Sequence, residues 1–292
     1  MVKQSDWELL KTLYNNRSIT KTARELYMTQ PAVTKRLHQL EDYFHVHIAH
    51  RTASGLEFTE QGVRLAQFSE QMVRQYSEFQ AQLHQETAEP SGKLHLAASN
   101  SLTRFVLPGL LGAYRKVHPK VEFELTSAFS YQVSQLVNTR KTQIGFLRGE
   151  HPHSCCRVRF RQQQACVVSS SPFQLEDLPD MPRIDFRADP FTSATIDGWW
   201  YRHFSEAPNT AMTVGTGSTC FEMVRHGLGY GIFLSEDFIW DRTGLTILPL
   251  LDADGLPLTR TDWMIYREQS MELDAVRSFV EFSKTYFSGE PV

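Results

Sequence analysis

No apolar run in this 292-residue chain approaches the roughly 18 residues a helix needs to cross a bilayer. The opening MVKQSDWELL is charged and has no apolar core, so no secretion signal is expected. Four cysteines are too few for a disulfide framework at this length. They fit a reducing compartment, which gives the expectation of a cytoplasmic protein with no membrane partner. Catalytic signatures are missing too: there is no GxSxG elbow, no GxxxxGK phosphate loop and no HExxH. The GLGYG at 227–231 has the wrong spacing for a dinucleotide fingerprint and reads as a helix end followed by a strand. No catalytic residue, cofactor or resident metal is therefore expected. A net charge of −3 gives no whole-chain sign of a polyanion partner.

What is present is ordinary in bulk and uneven in detail. Hydrophobic residues at 41% and charged residues at 22% suit a globular chain and exclude a disordered one. The length suggests two domains at roughly 150 residues each. Between Arg17 and Arg51, six basic residues (Arg17, Lys21, Arg24, Lys35, Arg36, Arg51) stand against three acids (Glu25, Glu41, Asp42). A local positive excess on a net-negative chain marks a module that can face a polyanion.

Trp7, Leu10 and Tyr14 recur at helical spacing, with Ser5 or Asp6 expected as the N-cap. After NNRS, Ile19, Ala23 and Leu26 form one apolar stripe, and Val33, Leu37, Leu40 and Phe44 form a second. The break at Tyr27–Thr29 predicts two helices joined by a short turn, with Thr29 as cap and Pro31 in the first turn, where its missing N–H is harmless. Residues 46–58 read as a hairpin turning at 52–55. From Thr59 a long helix carries Leu65, Phe68, Met72, Tyr76, Phe79 and Leu83 at steps of three or four, close to a heptad seam, and it ends near the linker at 89–92. Beyond Gly92, strands expected at 93–98, 121–126, 144–147 and 165–169 alternate with helices at 102–117 and 130–140 and a closing helix at 271–287, which indicates βαβ units and a parallel sheet. The expected domains are 1–58, 59–90 and 91–292.

On the second helix of the turn motif, a 100° step puts Pro31, Lys35 and His38 opposite the apolar stripe, with Gln30 and Thr34 on the shoulder. That set suits a major groove: Lys for guanine or phosphate, Gln for adenine, Thr for a methyl or phosphate. An amphipathic helix with a solvated basic face gives the same pattern. Likewise, the long helix can pack on its own domain or against a second chain.

The segments ITKTARELYMTQPAVTKRLHQLEDYF, HIAHR and GLEFTEQG together resemble the N-terminal winged helix-turn-helix of the LysR-type transcriptional regulators. Thr22-Ala23 stands where that family has Ala-Ala, Thr29 and Thr34 where it has Ser, and Ala49-His50-Arg51 where it has Leu-Phe-Xaa-Arg. The layout of the remainder matches as well, so the resemblance runs the full length. It implies an α/β fold class: a winged helix-turn-helix, a linker helix that pairs with that of a second subunit, and a two-lobed effector domain resembling periplasmic binding proteins. It further implies a transcriptional regulator of promoter DNA, acting as a homodimer or homotetramer and modulated by a small molecule. Carried over by position, Gln30, Pro31, Thr34 and Lys35 contact bases and backbone, Arg51 reaches phosphate or minor groove, and Thr29 caps the helix. Arg36 and His38 are further contact candidates, or solvated surface residues.

Parallel strands place ligands at their carboxyl ends. Those ends offer Ser99, Asn100 and Ser101 before a helix, Ser127 and Phe129, Arg148 with Gly149, and Thr216, Gly217, Ser218 and Thr219 before another helix. Each hydroxyl taken singly is equally an N-cap. The resemblance places these positions around a cleft between two lobes. Helix starts favour anions, and Arg148 and Arg187, unless they are ordinary surface residues, offer planar donors for a carboxylate. A small-molecule effector is therefore expected, an anionic metabolite first and a neutral ligand on the same hydroxyls as the alternative. Two positions depart from the family pattern: Gln143 replaces an Asp before the third strand, and Ser235 replaces a Pro. HPHSCC at 151–156 is a surface loop or, as the lesser alternative, a metal or oxidant sensor, and Cys166 and Cys220 read as packing residues. The competing class is a two-lobed solute-binding protein or enzyme with no DNA role.

Overall fold

The computed structural model describes residues 2–52, 55–83, 90–151 and 154–289. The expected hairpin tip at 53–54, the start of the linker at Glu89, and Pro152 and His153 of the HPHSCC loop lie outside the described residues, as does the side chain of Leu83. The chain divides into two compact units, Met1–Ala88 and Glu89–Val292.

In the first unit, α1 (Gln4–Asn16), α2 (Ile19–Glu25) and α3 (Gln30–Phe44) pack Leu9, Leu10, Leu13, Ala23, Val33, Leu37 and Leu40 into one core. α1 starts earlier than expected. Lys3 is its N-cap, and Asp6 stands three residues in, where its carboxylate accepts the Lys3 amide at 2.6 Å as half of a capping box. The hairpin is as expected, with β1 (Ala49–Thr52) antiparallel to β2 (Gly55–Phe58). Thr59 then ends the wing and starts α4 (Glu60–Leu83): its hydroxyl donates to His47 O at 2.5 Å and accepts from the Gly62 amide at 3.0 Å. Gly62 is needed here, because an added Cβ would stand 1.9 Å from Ile48 O. α4 leans on α1 through an edge contact between Phe68 and Trp7, 5.5 Å between centroids.

The second unit has two lobes. The first lobe holds β3 (Gly92–Ser99), α5 (Asn100–Phe105), α6 (Leu107–Val117), β4 (Val121–Ala128), α7 (Ser130–Asn138), β5 (Ile144–Arg148), β6 (Cys156–Gln164), β12 (Thr259–Tyr266) and α10 (Asp274–Ser288). The second lobe holds β7 (Cys166–Ser169), β8 (Arg183–Phe186), α8 (Pro190–His203), β9 (Thr210–Val214), α9 (Gly217–Arg225), β10 (Tyr230–Phe233) and β11 (Thr246–Pro249). The expected single helix at 102–117 is two. Pro108 has no N–H to donate to the carbonyl four residues back and its ring crowds that carbonyl, so one helix cannot run through it and the chain breaks at Val106.

The expectation of parallel sheets is corrected to mixed ones. The sheet orders are β4-β3-β5-β12-β6 and β11-β7-β10-β8-β9. β3 runs parallel to β4 and β5, but β12 is antiparallel to both β5 and β6. β8 is parallel to β9 and β10, whereas β7 is antiparallel to β10 and β11. The cause is the path of the chain. It leaves the first lobe along β6 and returns along β12, so the crossing strands run in opposite directions. At the crossing, Ala165 N donates to Leu258 O (2.8 Å), and Leu250 N to Ala165 O (2.9 Å). Ala165 and Leu250 are buried there.

Candidate nucleic-acid interface and interlobe cavity

α3 is positioned by its cap and its stripe. The Ala32 amide donates to Thr29 Oγ1 at 3.4 Å, while Val33, Leu37 and Leu40 are buried. The opposite face is open. Gln30, Pro31, Thr34, Lys35, His38 and the wing residue Arg51 line a single concave surface, together with Gln39 and Asp42, which sequence reasoning did not single out. Arg51 ties wing to helix by donating from Nη2 to Thr34 Oγ1 at 2.9 Å. His38 Nδ1 lies 3.0 Å from Glu41 Oε2, and Glu41 Oε1 accepts the Ile48 amide at 2.8 Å, so the helix end and the wing share one carboxylate.

Arg36 stands apart from this surface. Its Nε and Nη2 each donate to Asp6 at 2.5 Å, and Nη1 donates to Gln39 Oε1 at 2.8 Å. Its guanidinium braces α3 on α1 and is not presented with the others. Burial pushes the Asp6 carboxyl up, but the Arg36 hydrogen bonds, the Lys3 amide and the Arg36 charge outweigh it, so the group lies below its usual range.

Between the lobes of the second unit lies a cavity of about 420 Å³. It brings together Ser99, Asn100, Ser101, Phe129, Arg148, Arg187, Thr216, Gly217 and Ser218, residues spread over more than a hundred positions of sequence. Ser127 and Thr219 are not in its lining. Ser127 donates to Asn100 Oδ1 at 2.9 Å, and the Thr219 amide donates to Thr216 Oγ1 at 3.1 Å. α5 is a six-residue turn rather than the long helix start expected there. Gly217 leaves room for a neighbour, since an added Cβ would lie 2.7 Å from the Phe238 ring.

Arg148 is engaged within the protein. On β5 with its side chain 4% exposed, it pairs with Asp237 and lies 3.3 Å from Asp262. Arg161 joins them, 2.5 Å from Asp237 and 3.1 Å from Asp262. Asp237 belongs to the second lobe, on a short turn that Ser235 caps by accepting the Asp237 amide at 3.2 Å, so this network spans the lobes. Burial raises Asp237, but Arg161 and Arg148 more than offset it and hold the carboxyl below its usual range. For Asp262, wholly buried, burial wins and its carboxyl lies above that range despite both arginines.

A second strap uses Arg260 on β12. It donates to Thr192 Oγ1 (2.7 Å) and Arg148 O (3.1 Å), with Asp189 at 3.8 Å. Burial lowers Arg260 below the usual arginine range, and Asp189 opposes that shift. Asp189 caps α8, accepting the Phe191 and Thr192 amides at 3.1 Å. Gln143, the other departure from the family pattern, is buried and accepts the His95 amide at 2.7 Å.

Sequence reasoning missed Arg104, Phe105, Phe186 and Phe238 in the cavity wall. A signal existed for Arg104, which lies one helical turn beyond Asn100. Phe105 of the first lobe meets Phe238 edge-on at 5.4 Å and Trp240 at 6.1 Å, closing one side of the cleft with aromatic rings. In the 151–156 segment, the Cys155 Sγ lies 3.1 Å from Asn138 Oδ1, and burial pushes its thiol up. Among the described residues, no group of three His, Cys, Asp or Glu is placed to hold a metal ion. Cys166 and Cys220 are buried, with thiols pushed up to about 12 by desolvation.

Comparison with known proteins adds the following. Residues 5–63 match the family described as bacterial regulatory helix-turn-helix protein, lysR family, and residues 87–288 match the LysR substrate binding domain. YraN of Bacillus subtilis, described as an uncharacterized HTH-type transcriptional regulator, is 31% identical over 281 residues, covering 96% of this chain and 97% of YraN. YeiE of Escherichia coli K12, described in the same terms, is 26% identical over 94% of both chains. Among solved structures, full-length OxyR of Pseudomonas aeruginosa superposes with a TM-score of 0.71 at 13% identity, covering 99% of this chain and 95% of that one. Full-length CbnR complexed with its target DNA superposes with a TM-score of 0.71 at 15% identity, covering 97% of this chain and all of that one. Those two likenesses concern the fold.

Proposed function

Because the chain belongs to the LysR family of bacterial helix-turn-helix transcriptional regulators, we propose that it reads an interrupted palindrome in promoter DNA through Gln30, Pro31, Thr34, Lys35, His38 and Arg51. The observation that carries this assignment is their convergence on one open surface, from two elements and opposite the buried stripe. Lys35 and Arg51 supply cationic donors, Gln30 a bidentate amide, and Thr34 a methyl and a hydroxyl. Arg36 acts as a brace and Thr29 as a cap. Half-site reading requires two copies, and α4 is the proposed pairing element. The domain roles follow: 1–58 reads DNA, 59–90 pairs subunits and 91–292 senses the effector.

The effector domain responds to a small molecule, which this reading places in the 420 Å³ cavity as an anion. A volume near the lower end of the ligand-pocket range, roughly 300–1,000 Å³, suits a small metabolite. The reading assigns no enzymatic step, because the relatives are named as transcriptional regulators. Among the described residues, no helix is long and apolar enough to cross a membrane, and the cytoplasm is the proposed location. Family membership over both units displaces the alternative of a solute-binding protein without a DNA role. Footprinting the purified full chain on the promoters flanking its own gene tests the reading. Two protected half-sites about one helical turn apart, or a multiple of that, are expected, and an unprotected promoter set would count against it.

A further inference from the structure

Resting on the reading that the cleft is the effector site, we infer that its ligand is a dicarboxylate, held with one end on Arg104 of the first lobe and the other on Arg187 of the second.

The charge pattern around the cavity leads there. Five arginines lie in or directly behind its wall: Arg104, Arg148, Arg161, Arg187 and Arg260. Three aspartates answer them: Asp189, Asp237 and Asp262. Arg148 and Arg161 share Asp237 and Asp262, and Arg260 has Asp189. Two positive charges remain. Among the described residues, neither Arg104 nor Arg187 has a carboxylate within ion-pair distance, and both are exposed. A surplus of two in one cleft is neutralised by two negative charges, and a monoanion leaves one arginine unanswered.

Placement sets the shape of the ligand. Arg104 sits on α5, with its guanidinium carbon 5.3 Å from the Phe105 centroid and 5.6 Å from that of Trp240. Arg187 follows β8, its amide donating to Val214 O at 3.0 Å. One arginine belongs to each lobe, so the two anionic ends must be separated by a spacer rather than share one carbon. Guanidinium forks match carboxylate geometry with two parallel N–H donors. In the same cavity wall, the Ser99 hydroxyl is buried and, among the described residues, has no hydrogen-bond partner. A polar oxygen on the ligand supplies that partner. Phe105, Phe129, Phe186 and Phe238 give the spacer an apolar lining. A ligand that grips both lobes also changes their mutual preference, which a one-ended ligand does not.

Calorimetry on the full chain with succinate, glutarate and adipate, each beside its mono-methyl ester, tests the inference. The esters keep length and shape but remove one charge. At least one diacid is expected to bind about tenfold or more tightly than its half-ester, the scale of one charge-assisted contact. Arg104→Gln and Arg187→Gln, both at exposed positions, are each expected to bring the diacid down to the half-ester level with circular dichroism unchanged. Equal affinity of diacid and half-ester, no binding of any diacid, or unaltered binding by both variants overturns the inference. Ser101→Trp, which fills the cavity, separates this from failure of the cleft reading. A small-molecule library screened by thermal shift that yields only monoanionic or neutral binders, all lost in Ser101→Trp, leaves the cleft as the site and rejects the dicarboxylate. Binders retained in Ser101→Trp reject the cleft itself.

Discussion

Arg36 and Asp6, thirty positions apart, form a two-armed ion pair at 2.5 Å per arm that fastens the third helix to the first. Asp6 is buried, with its side chain 3% exposed, and it also closes the capping box of its own helix. Asp6→Asn is expected to destabilise the first unit by about 2 kcal/mol, the scale of hydrogen bonds to a charged partner. Urea unfolding followed at Trp7 measures it, and an unchanged midpoint would reject the bracing role.

The same pair fixes a pH dependence. The folded pKa of Asp6 lies below its unfolded value, so the fold binds its proton less tightly than the unfolded chain does. Its stabilisation is fully present above the unfolded value of roughly 3.9 and is lost as pH falls through the folded value. Melting of the wild-type first unit should therefore drop below about pH 4 more steeply than that of Asp6→Asn. Parallel curves for the two proteins would contradict this.

Thr34→Ala and Lys35→Ala should each weaken specific DNA binding by about 1–3 kcal/mol with little change in melting, because neither side chain joins the buried stripe and the Arg51–Thr34 hydrogen bond that the first removes is exposed. Gel-shift titration at several salt concentrations separates the two. Lys35→Ala should flatten the salt slope by about one if it meets phosphate. Equal binding by wild type and both variants would remove α3 from the interface.

On α4, Phe68, Tyr76 and Phe79 are 47%, 41% and 54% exposed, too much aromatic surface along one helix for a lone chain. Tyr76→Glu with Phe79→Glu should convert dimers, or tetramers built from them, to monomers in sedimentation at micromolar concentration. Unchanged mass would place the pairing surface elsewhere.

Asp237→Asn should destabilise the effector unit by about 3–5 kcal/mol, since it leaves Arg148 and Arg161 short of their interlobe partner. Asp262→Asn should cost less. The fold holds the Asp237 carboxyl below its usual range and Asp262 above it, so only Asp237 is a carboxylate that folding favours in its charged form. Urea midpoints of the two variants in the reverse order would refute the assignment.

What the sequence made legible was local. Thr29 and Pro31 mark a helix start by chemistry that acts within three residues, and Val33, Leu37 and Leu40 mark its buried face. The hairpin, the strand–helix alternation after Gly92 and the hydroxyls that line the cleft are readable for the same reason. What escaped was long-range. Arg148 looked like a ligand donor because its partner Asp237 lies 89 positions away on the other lobe. The antiparallel entry of β12 between β5 and β6 depends on the chain crossing between lobes and back, which no short-range pattern records. Arg36 reads in the sequence as either a DNA contact or a solvated surface residue, because its partner Asp6 lies thirty positions away on α1.

The most direct test of the account is affinity selection of fragmented genomic DNA by the purified full chain, run beside the Thr34→Ala/Lys35→Ala double variant. The account predicts that the wild type recovers fragments sharing an interrupted palindrome and that the double variant, still folded, recovers none of them. Recovery of the same fragments by both proteins, or no shared element among those the wild type recovers, would contradict it.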